Sequence, residues 1–254
     1  MILAIDIGNT NIVIGCIEGT DISFVERIST DTQKTTLEYA SIFKMVLDIY
    51  HIQPGQLKGS ILSSVVPPIN HVICDAIEKV MHIKPMVVGP GVKTGLNILI
   101  DNPAQLGSDL VVDAVAALKK YPAPLIIIDM GTATTMSAID AKGNFLGGTI
   151  TPGIRVALES LVSRTSLLSQ ISLEPPKKAI GRNTIDSMKS GSVLGNAAML
   201  DGMIDRFREE LQGDVTVVAT GGLAQFIVPL CRHEIIYDDA LLLKGLWYIY
   251  EKNS

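Results

Sequence analysis

Two short stretches of the chain combine an aspartate with a glycine turn in a way that suits phosphate binding. The first is Ile5-Asp6-Ile7-Gly8-Asn9-Thr10, and the second, which begins 123 positions later, is Ile128-Asp129-Met130-Gly131-Thr132-Ala133. A glycine at the turn lets backbone N–H groups approach an anion closely, and the small hydroxyl and amide side chains add hydrogen-bond donors. Each aspartate could hold a hydrated divalent cation that the phosphates also bind. Two such loops could together clamp a nucleoside triphosphate.

The runs on either side of these loops favour β-strands. Each half of the chain opens on three predicted strands, and these are 2–7, 11–18, 22–29, 125–130, 134–140 and 145–151. Ordinary hairpin turns would explain one Asp-x-Gly copy, since this pattern is common in turns. Its repetition at the start of each half favours the phosphate-binding interpretation.

Two prolines divide the chain into these halves. Pro122 and Pro124 end an Ala-rich helical run before the second set of strands, which gives predicted domains at 1–121 and 122–254. Helices predicted from apolar spacing and turn signals cover 35–50, 69–81, 110–118, 154–162, 185–211, 223–230 and 238–251. Strands that alternate with helices predict an α/β fold.

A third glycine loop follows a predicted strand over 215–219. It is Thr220-Gly221-Gly222, and it would permit close approach of an adenine ring or a ribose where a side chain would clash. Gly-Gly pairs end many strands, so this loop adds support only beside the two aspartate loops.

Asp109 is another acidic candidate. It stands in Leu106-Gly107-Ser108-Asp109, directly before the predicted helix 110–118. A carboxylate at this position is often a helix cap that the helix dipole favours, and local sequence alone favours that interpretation. The alternative is a general base or a metal ligand.

Composition narrows the class of protein. The chain has 254 residues, of which 47% are hydrophobic and 19% charged, which is typical of a globular α/β protein. Its net charge is −5 and no basic cluster exceeds two residues, so we expect no nucleic-acid partner. We also expect no membrane partner, because no run approaches the ~18 apolar residues of a membrane span. The N-terminus lacks the basic and apolar regions of a signal peptide.

The cysteines and histidines do not form a recognisable site. The three cysteines are Cys16, Cys74 and Cys231, an odd number at wide spacing, which argues against a disulfide framework or a zinc site. The four histidines are equally scattered. These observations predict a protein of the reducing cytoplasm.

Five motifs together resemble one family. They are Asp6-Ile7-Gly8-Asn9-Thr10-Asn11, Asp129-Met130-Gly131-Thr132-Ala133-Thr134-Thr135, Gly147-Gly148-Thr149-Ile150-Thr151-Pro152-Gly153, Ile180-Gly181-Arg182-Asn183-Thr184 and Ala219-Thr220-Gly221-Gly222. The duplicated aspartate loop resembles the superfamily of sugar kinases, actin and the heat-shock chaperone ATPases, and the five motifs resemble the type III pantothenate kinases. The resemblance implies two duplicated ribonuclease-H-like (actin-like ATPase) halves, each with a mixed five-stranded sheet.

The resemblance also implies an activity, which is the ATP-dependent phosphorylation of pantothenate as the first step towards coenzyme A. It implies that Asp109 is the base that orients the pantothenate hydroxyl. The resemblance therefore favours the interpretation of Asp109 as a general base over its interpretation as a helix cap. The implied ATP- and phosphate-binding residues are Asp6, Ile7, Gly8, Asn9, Thr10, Asn11, Ile12, Val13, Gly131, Thr132, Gly221 and Gly222. The implied substrate-binding residues are Ile100, Gly107, Ser108, Asp109, Leu110 and Thr184.

Further partners follow from the same resemblance. Asp6 would lie near a magnesium ion and bind it through water, and Asp129 would help to hold a monovalent cation, potassium or ammonium. Thr184 would contact the substrate from the neighbouring protomer, since the family forms homodimers with active sites at the interface.

Two positions depart from the family pattern. The family usually has an arginine where this chain has Leu110, and a tyrosine where it has Ile100. The arginine is expected to pair with the pantothenate carboxylate, a contact worth about 1.5–3 kcal/mol, so its loss could weaken acceptor binding by one to two decades.

Three interpretations of these departures remain. The protein is a pantothenate kinase in which Arg155, Arg164 or Arg182 supplies the missing charge, or a kinase for a less anionic acceptor, or a non-catalytic paralogue that binds nucleotide and acts through partners. The retained residues Asp6, Asp109, Asp129 and Thr132 argue against the third interpretation.

Overall fold

The computed structural model describes all residues from 1 to 254, and they form two compact units. The first unit contains Met1–Leu96, Asn102–Ala116 and Ala240–Ser254, and the second contains Asn97–Asp101 and Ala117–Asp239. The units differ from the predicted halves in three segments, because 97–101 and 117–121 lie in the second unit and 240–254 lies in the first.

The first unit is a five-stranded mixed sheet with helices. Elements are numbered along the whole chain, and those of this unit are β1 (Ile2–Ile7), β2 (Asn11–Glu18), β3 (Asp21–Ser29), α1 (Thr36–Ile49), β4 (Ser60–Ser64), α2 (Asn70–Met81), β5 (Met86–Val87), α3 (Ser108–Lys120, whose last four residues belong to the second unit) and α8 (Leu241–Asn253). The strand order is β3-β2-β1-β4-β5. Neighbours in β1–β2–β3 are antiparallel, whereas β4 is parallel to β1 and β5 is parallel to β4.

Strand β1 is buried along its whole length because helices cover both faces of its sheet. Alternate residues of a strand point to opposite faces. Leu3, Ile5 and Ile7 therefore join the core that α1 and α2 complete. Ile2 and Ala4 join the core to which α3 and α8 contribute. This packing explains why the terminal helix α8 belongs to the first unit.

The second unit repeats this arrangement. Its elements are β6 (Asn97–Ile98), β7 (Leu125–Met130), β8 (Ala133–Ile139), β9 (Asn144–Pro152), α4 (Ile154–Ser163), α5 (Thr184–Lys189), α6 (Gly195–Leu211), β10 (Thr216–Thr220), α7 (Ala224–Ile227) and β11 (Ile236–Tyr237). The strand order is β11-β10-β7-β8-β9-β6. An antiparallel set, β7-β8-β9, is again followed by two parallel strands, β10 and β11. The predicted duplicated α/β fold is confirmed.

The second sheet has one strand more than the five that the family resemblance implies. Strand β6 is only two residues long and pairs in parallel with β9, which makes this sheet six-stranded. The Asn97 side-chain amide donates to Asn144 Oδ1 over 2.7 Å and supports that pairing. Two residues are too few to show the period-two alternation by which strands are recognised.

The predicted long helix over 185–211 is interrupted once. A π-helical turn, Ser190–Leu194, lies between α5 and α6. The Asn196 side chain, in the first turn of α6, donates to the Ser192 carbonyl of the π-helical turn over 2.7 Å. Turns of this kind often mark functional sites.

None of the helices has both the length and the apolarity needed to cross a membrane.

Candidate active site

The first predicted phosphate loop is the turn between β1 and β2. The Gly8 N–H donates to the Asn11 carbonyl over 3.0 Å and closes this turn. The end of β3 supports it, because Thr30 Oγ1 donates to the Gly8 carbonyl over 2.6 Å and the Thr30 N–H donates to the Thr10 carbonyl over 3.0 Å. Asn9, Thr10 and Asn11 are exposed at the tip of this turn.

Two residues predicted to bind ATP have their side chains elsewhere. Ile7 and Ile12 are fully buried in the core of the first unit. Only their main-chain groups could therefore contact a phosphate. Val13 is half-buried and packs in the cluster that contains Ile2 and Ala4.

Helix α3 places Asp109 at the edge of the first sheet where β1 ends. The Ser108 hydroxyl accepts from the Ser64 N–H and donates to the Ser64 carbonyl, both over 3.0 Å. In the parallel pairing of β1 with β4, Asp6 lies opposite Ser63, and Ser63 Oγ lies 3.0 Å from Ser108 Oγ. Parallel strands end at the same edge of a sheet, so the structure brings Asp6 and Asp109 to one edge.

The Asp109 side chain is half-buried and lies close against Gly107. Burial raises the pKa of Asp109, and a hydrogen bond from the Leu110 N–H to Oδ1 over 2.8 Å opposes that rise in part. A side chain at Gly107 would collide with this oxygen, so the missing side chain makes room for the carboxylate. A raised pKa in a buried carboxyl is common at functional sites.

The second predicted phosphate loop is the turn between β7 and β8. The Gly131 N–H donates to the Ala133 carbonyl over 2.9 Å. In the first loop Asp6 pairs with Val13, whereas here Asp129 pairs with Thr135. The second turn is therefore one residue shorter than the first.

Two glycines from distant parts of the sequence pack directly against this second loop. Gly221 follows β10 with φ +91°, and a Cβ there would lie 2.6 Å from Asp129 Oδ1 and 2.7 Å from both N and O of Met130. The Gly153 N–H donates to the Thr132 carbonyl over 3.0 Å, and a Cβ on Gly153 would collide with that carbonyl. The structure thus brings Asp129, Thr132 and Gly221 together.

Sequence reasoning missed several residues that position these loops. Thr30, Ser63 and Ser64 carried no motif, because their role depends on neighbours far away in the sequence. Gly153 was noticed only as part of a family motif. A glycine directly after Pro152 was the sequence signal that could have indicated a close backbone contact at Gly153.

The remaining predicted substrate residues lie in the second unit. Ile100 lies beside Gly147, where a Cβ would be 3.8 Å from Ile100 Cγ2. Thr184 begins α5 and lines a cavity of about 760 Å³ with α4 and the π-helical turn. Gly222 follows Gly221 and accepts from Gln225 Nε2 over 3.2 Å.

The two aspartates suit hard cations. Asp6 is 9% exposed at the end of β1, and Asp129 is half-buried at the end of β7. No three His, Cys, Asp or Glu side chains are grouped to hold a metal ion by themselves. A single carboxylate in each loop fits magnesium, because this ion takes oxygen ligands and keeps waters and substrate phosphates among them.

Comparison with known proteins identifies the family. A family model described as type III pantothenate kinase matches residues 2–206. A type III pantothenate kinase from Exiguobacterium sp. is 46% identical over 254 residues, with 100% of each chain covered. A second one, from Bacillus cytotoxicus, is 43% identical over 254 residues, which covers 100% of this chain and 97% of the relative.

A solved structure agrees on the fold. The activator of the 2-hydroxyisocaproyl-CoA dehydratase from Clostridium difficile with bound ADPNP superposes with a TM-score of 0.53 at 15% identity, over 98% of this chain and 93% of that one. This similarity concerns the fold alone. The family model and the two full-length relatives lead to one assignment: the chain belongs to the type III pantothenate kinase family and is a phosphotransferase that uses ATP.

Proposed function

We propose that this chain phosphorylates the terminal hydroxyl of pantothenate with ATP, which gives 4′-phosphopantothenate in the first step of coenzyme A biosynthesis. The family supports the substrate. The observation that carries the chemistry is the half-buried Asp109 carboxylate, held at the edge of the sheet where Asp6 lies.

Asp109 is the base in this proposal. Phosphoryl transfer depends mainly on positioning and charge neutralisation, so the first task of the carboxylate is to align the acceptor hydroxyl. The carboxylate then accepts the hydroxyl proton late in the transfer. Its raised pKa suits that task, because a base works best when its pKa approaches the working pH.

The two turns bind phosphate in this proposal. The small side chains of 9–11 and of Thr132 donate to phosphate oxygens, Gly8 and Gly131 let the phosphates approach the two turns closely, and Gly221 and Gly222 leave room for the nucleoside. Asp6 binds magnesium through water, and Asp129 holds potassium or ammonium. When bound, magnesium supplies positive charge that neutralises the phosphate oxygens during transfer.

A kinase for a less anionic acceptor is the second candidate. Leu110 and Ile100 favour it, because both place apolar side chains where the family has polar ones. The retained Asp109 does not distinguish these acceptors, since any alcohol acceptor needs a base.

The first experiment measures ATP-to-ADP turnover with pantothenate and magnesium, with potassium present or replaced by sodium. We expect turnover that requires pantothenate and increases with potassium. ADP formation that is independent of pantothenate, or no turnover while ATP still binds, would contradict the proposed reaction. Equal rates in potassium and sodium would contradict only the monovalent-cation site.

We also propose that the chain acts in the cytoplasm as a homodimer in which Thr184 of one protomer completes the acceptor site of the other. The three cysteines are free thiols, which suits a reducing compartment. Large apolar side chains are exposed on the segments that line the Thr184 cavity or directly beside its lining residues in the sequence. They are Val156, Leu161, Leu167, Ile180 and Ile185. Exposed apolar groups of this size often mark a protein interface.

Light scattering tests the dimer. The chain has a mass of 27.2 kDa, so a dimer should scatter as a particle of twice that mass. Leu161→Glu should shift the population towards monomer and Leu37→Glu should not, because Leu37 is an exposed leucine of the first unit. A monomeric wild-type chain that turns over pantothenate would contradict this part of the proposal.

A further inference from the structure

Pantothenate presents a charge that the predicted acceptor residues do not neutralise. The molecule carries its reacting hydroxyl at one end and a carboxylate at the other. None of Ile100, Gly107, Ser108 and Leu110 is a cation, and Asp109 has the same charge sign as the carboxylate. An arginine or lysine from elsewhere in the protein would supply the compensating charge.

The cavity beside Thr184 has a suitable composition. It measures about 760 Å³, and Ile154, Leu158 and Met188 form part of an apolar lining. Asn183, Thr184 and other small polar residues line the rest, and Arg182 is the one charged residue among them. An apolar cavity with a few placed polar groups is typical of a small-molecule site.

The Arg182 guanidinium is free to bind a ligand. It makes no hydrogen bond or ion pair within the chain, whereas Arg206 Nη1 donates to the Gly202 carbonyl over 2.6 Å and Arg208 Nη1 lies 3.1 Å from His233 Nδ1. Two other arginines could supply the positive charge that Leu110 lacks. They are Arg155 and Arg164, and neither lines the cavity.

The backbone around Arg182 is held firmly although its side chain is free. A Cβ on Gly181 would lie within 2.6 Å of Ser187 Cα, so the chain packs directly on α5 at this point. On the other side, Asn183 Oδ1 accepts from the Asp186 N–H over 2.9 Å. An anchored backbone reduces the entropy that the side chain loses on binding.

We propose that Arg182 is the residue that selects an anionic acceptor, because its guanidinium pairs with the pantothenate carboxylate while the apolar lining receives the uncharged part of the molecule. The inference rests on the proposed function, and it assigns Arg182 to the same interprotomer site as Thr184. A planar guanidinium binds a carboxylate through two parallel hydrogen bonds, which neither Leu110 nor Ile100 can form.

The test compares two acceptors in the full-length chain. The first is pantothenate, and the second is pantothenyl alcohol, in which a hydroxymethyl group replaces the carboxylate. For Arg182→Gln we expect the KM for pantothenate to rise roughly 10- to 100-fold, with kcat and the KM for the alcohol unchanged. Arg182→Lys should give an intermediate KM, because lysine keeps the charge but lacks the planar fork.

Lys178→Gln is the matched control, since it removes an exposed positive charge four residues away and outside the cavity. It should leave the KM for both acceptors unchanged. An unchanged preference for pantothenate in Arg182→Gln, or a loss of preference in Arg164→Gln instead, would overturn the inference alone. Failure of the wild-type chain to turn over either acceptor would overturn the proposed function, and the inference with it.

Discussion

Asp109→Asn should lower kcat for pantothenate phosphorylation by about 10²–10⁴-fold, because the amide cannot accept the hydroxyl proton. The amide oxygen can still accept the Leu110 N–H, so the start of α3 should keep its geometry. Steady-state kinetics and thermal unfolding of the same preparation measure both effects. Asp75→Asn, the same change at an exposed position on α2, should alter neither.

The raised pKa also predicts the direction in which Asp109→Asn changes the stability of the fold. Burial raises the pKa of Asp109 in the folded chain above its unfolded value, so ionisation of this group costs folding free energy as the pH rises through that interval. Asparagine does not ionise, and Asp109→Asn should therefore be as stable as the wild type, or more stable, at neutral pH. A near-normal turnover rate would contradict the assignment of Asp109 as base, whereas a strongly destabilised variant would contradict the stability expected from the raised pKa.

The same pKa shift predicts the pH dependence of the wild-type enzyme. The base must be ionised, so kcat should fall as the pH decreases through the Asp109 pKa. Burial should place this acidic limb above the ordinary aspartate value of about 3.9. The residual activity of Asp109→Asn should not show this decrease of kcat at low pH. If the decrease persists in that variant, another group causes it.

Gly221→Ala should have the second large effect, because it introduces two costs at one position. The backbone at φ +91° disfavours any side chain, and the new Cβ would also press on the Asp129 carboxylate and on the Met130 backbone. We expect the free energy of unfolding to decrease by about 2–5 kcal/mol. Displacement of Asp129 should also lower kcat/KM by about tenfold or more.

Gly213→Ala separates these two costs. Gly213 has a similar φ of +85°, but nothing lies within 4 Å of the position where a Cβ would be. This variant should lose only about 1–2 kcal/mol of stability and keep its activity. Denaturant unfolding of both variants, together with their kinetics, measures the difference. Equal losses in the two variants would mean that the contact with Asp129 and Met130 contributes nothing.

The local sequence pattern was sufficient to predict the two strand–turn–strand loops that repeat in this fold. The apolar strands before Asp6 and Asp129 and the glycines after them are contiguous in the sequence, so their strand–turn–strand structure and duplication could be predicted. Asp109 is different: local sequence favoured a helix cap, and its role as a base is a prediction from the family resemblance alone.

The parts that sequence did not show depend on contacts between distant residues. Strand β6 is too short to have a period. The contact of Gly221 with Asp129 arises from the pairing of β10 with β7, which strand propensity does not specify. The free guanidinium of Arg182 becomes visible only when the lining of the cavity is known.

The position of α8 has a consequence for the order in which the protein matures during synthesis. All segments of the second unit lie before residue 240, whereas the first unit needs α8 to complete the cluster around Ile2 and Ala4. Domains generally fold as units while the chain emerges from the ribosome, N-terminal residues first. Here the strand that carries Asp6 is made first, yet its unit is completed last, so the second phosphate loop should reach its final structure before the first.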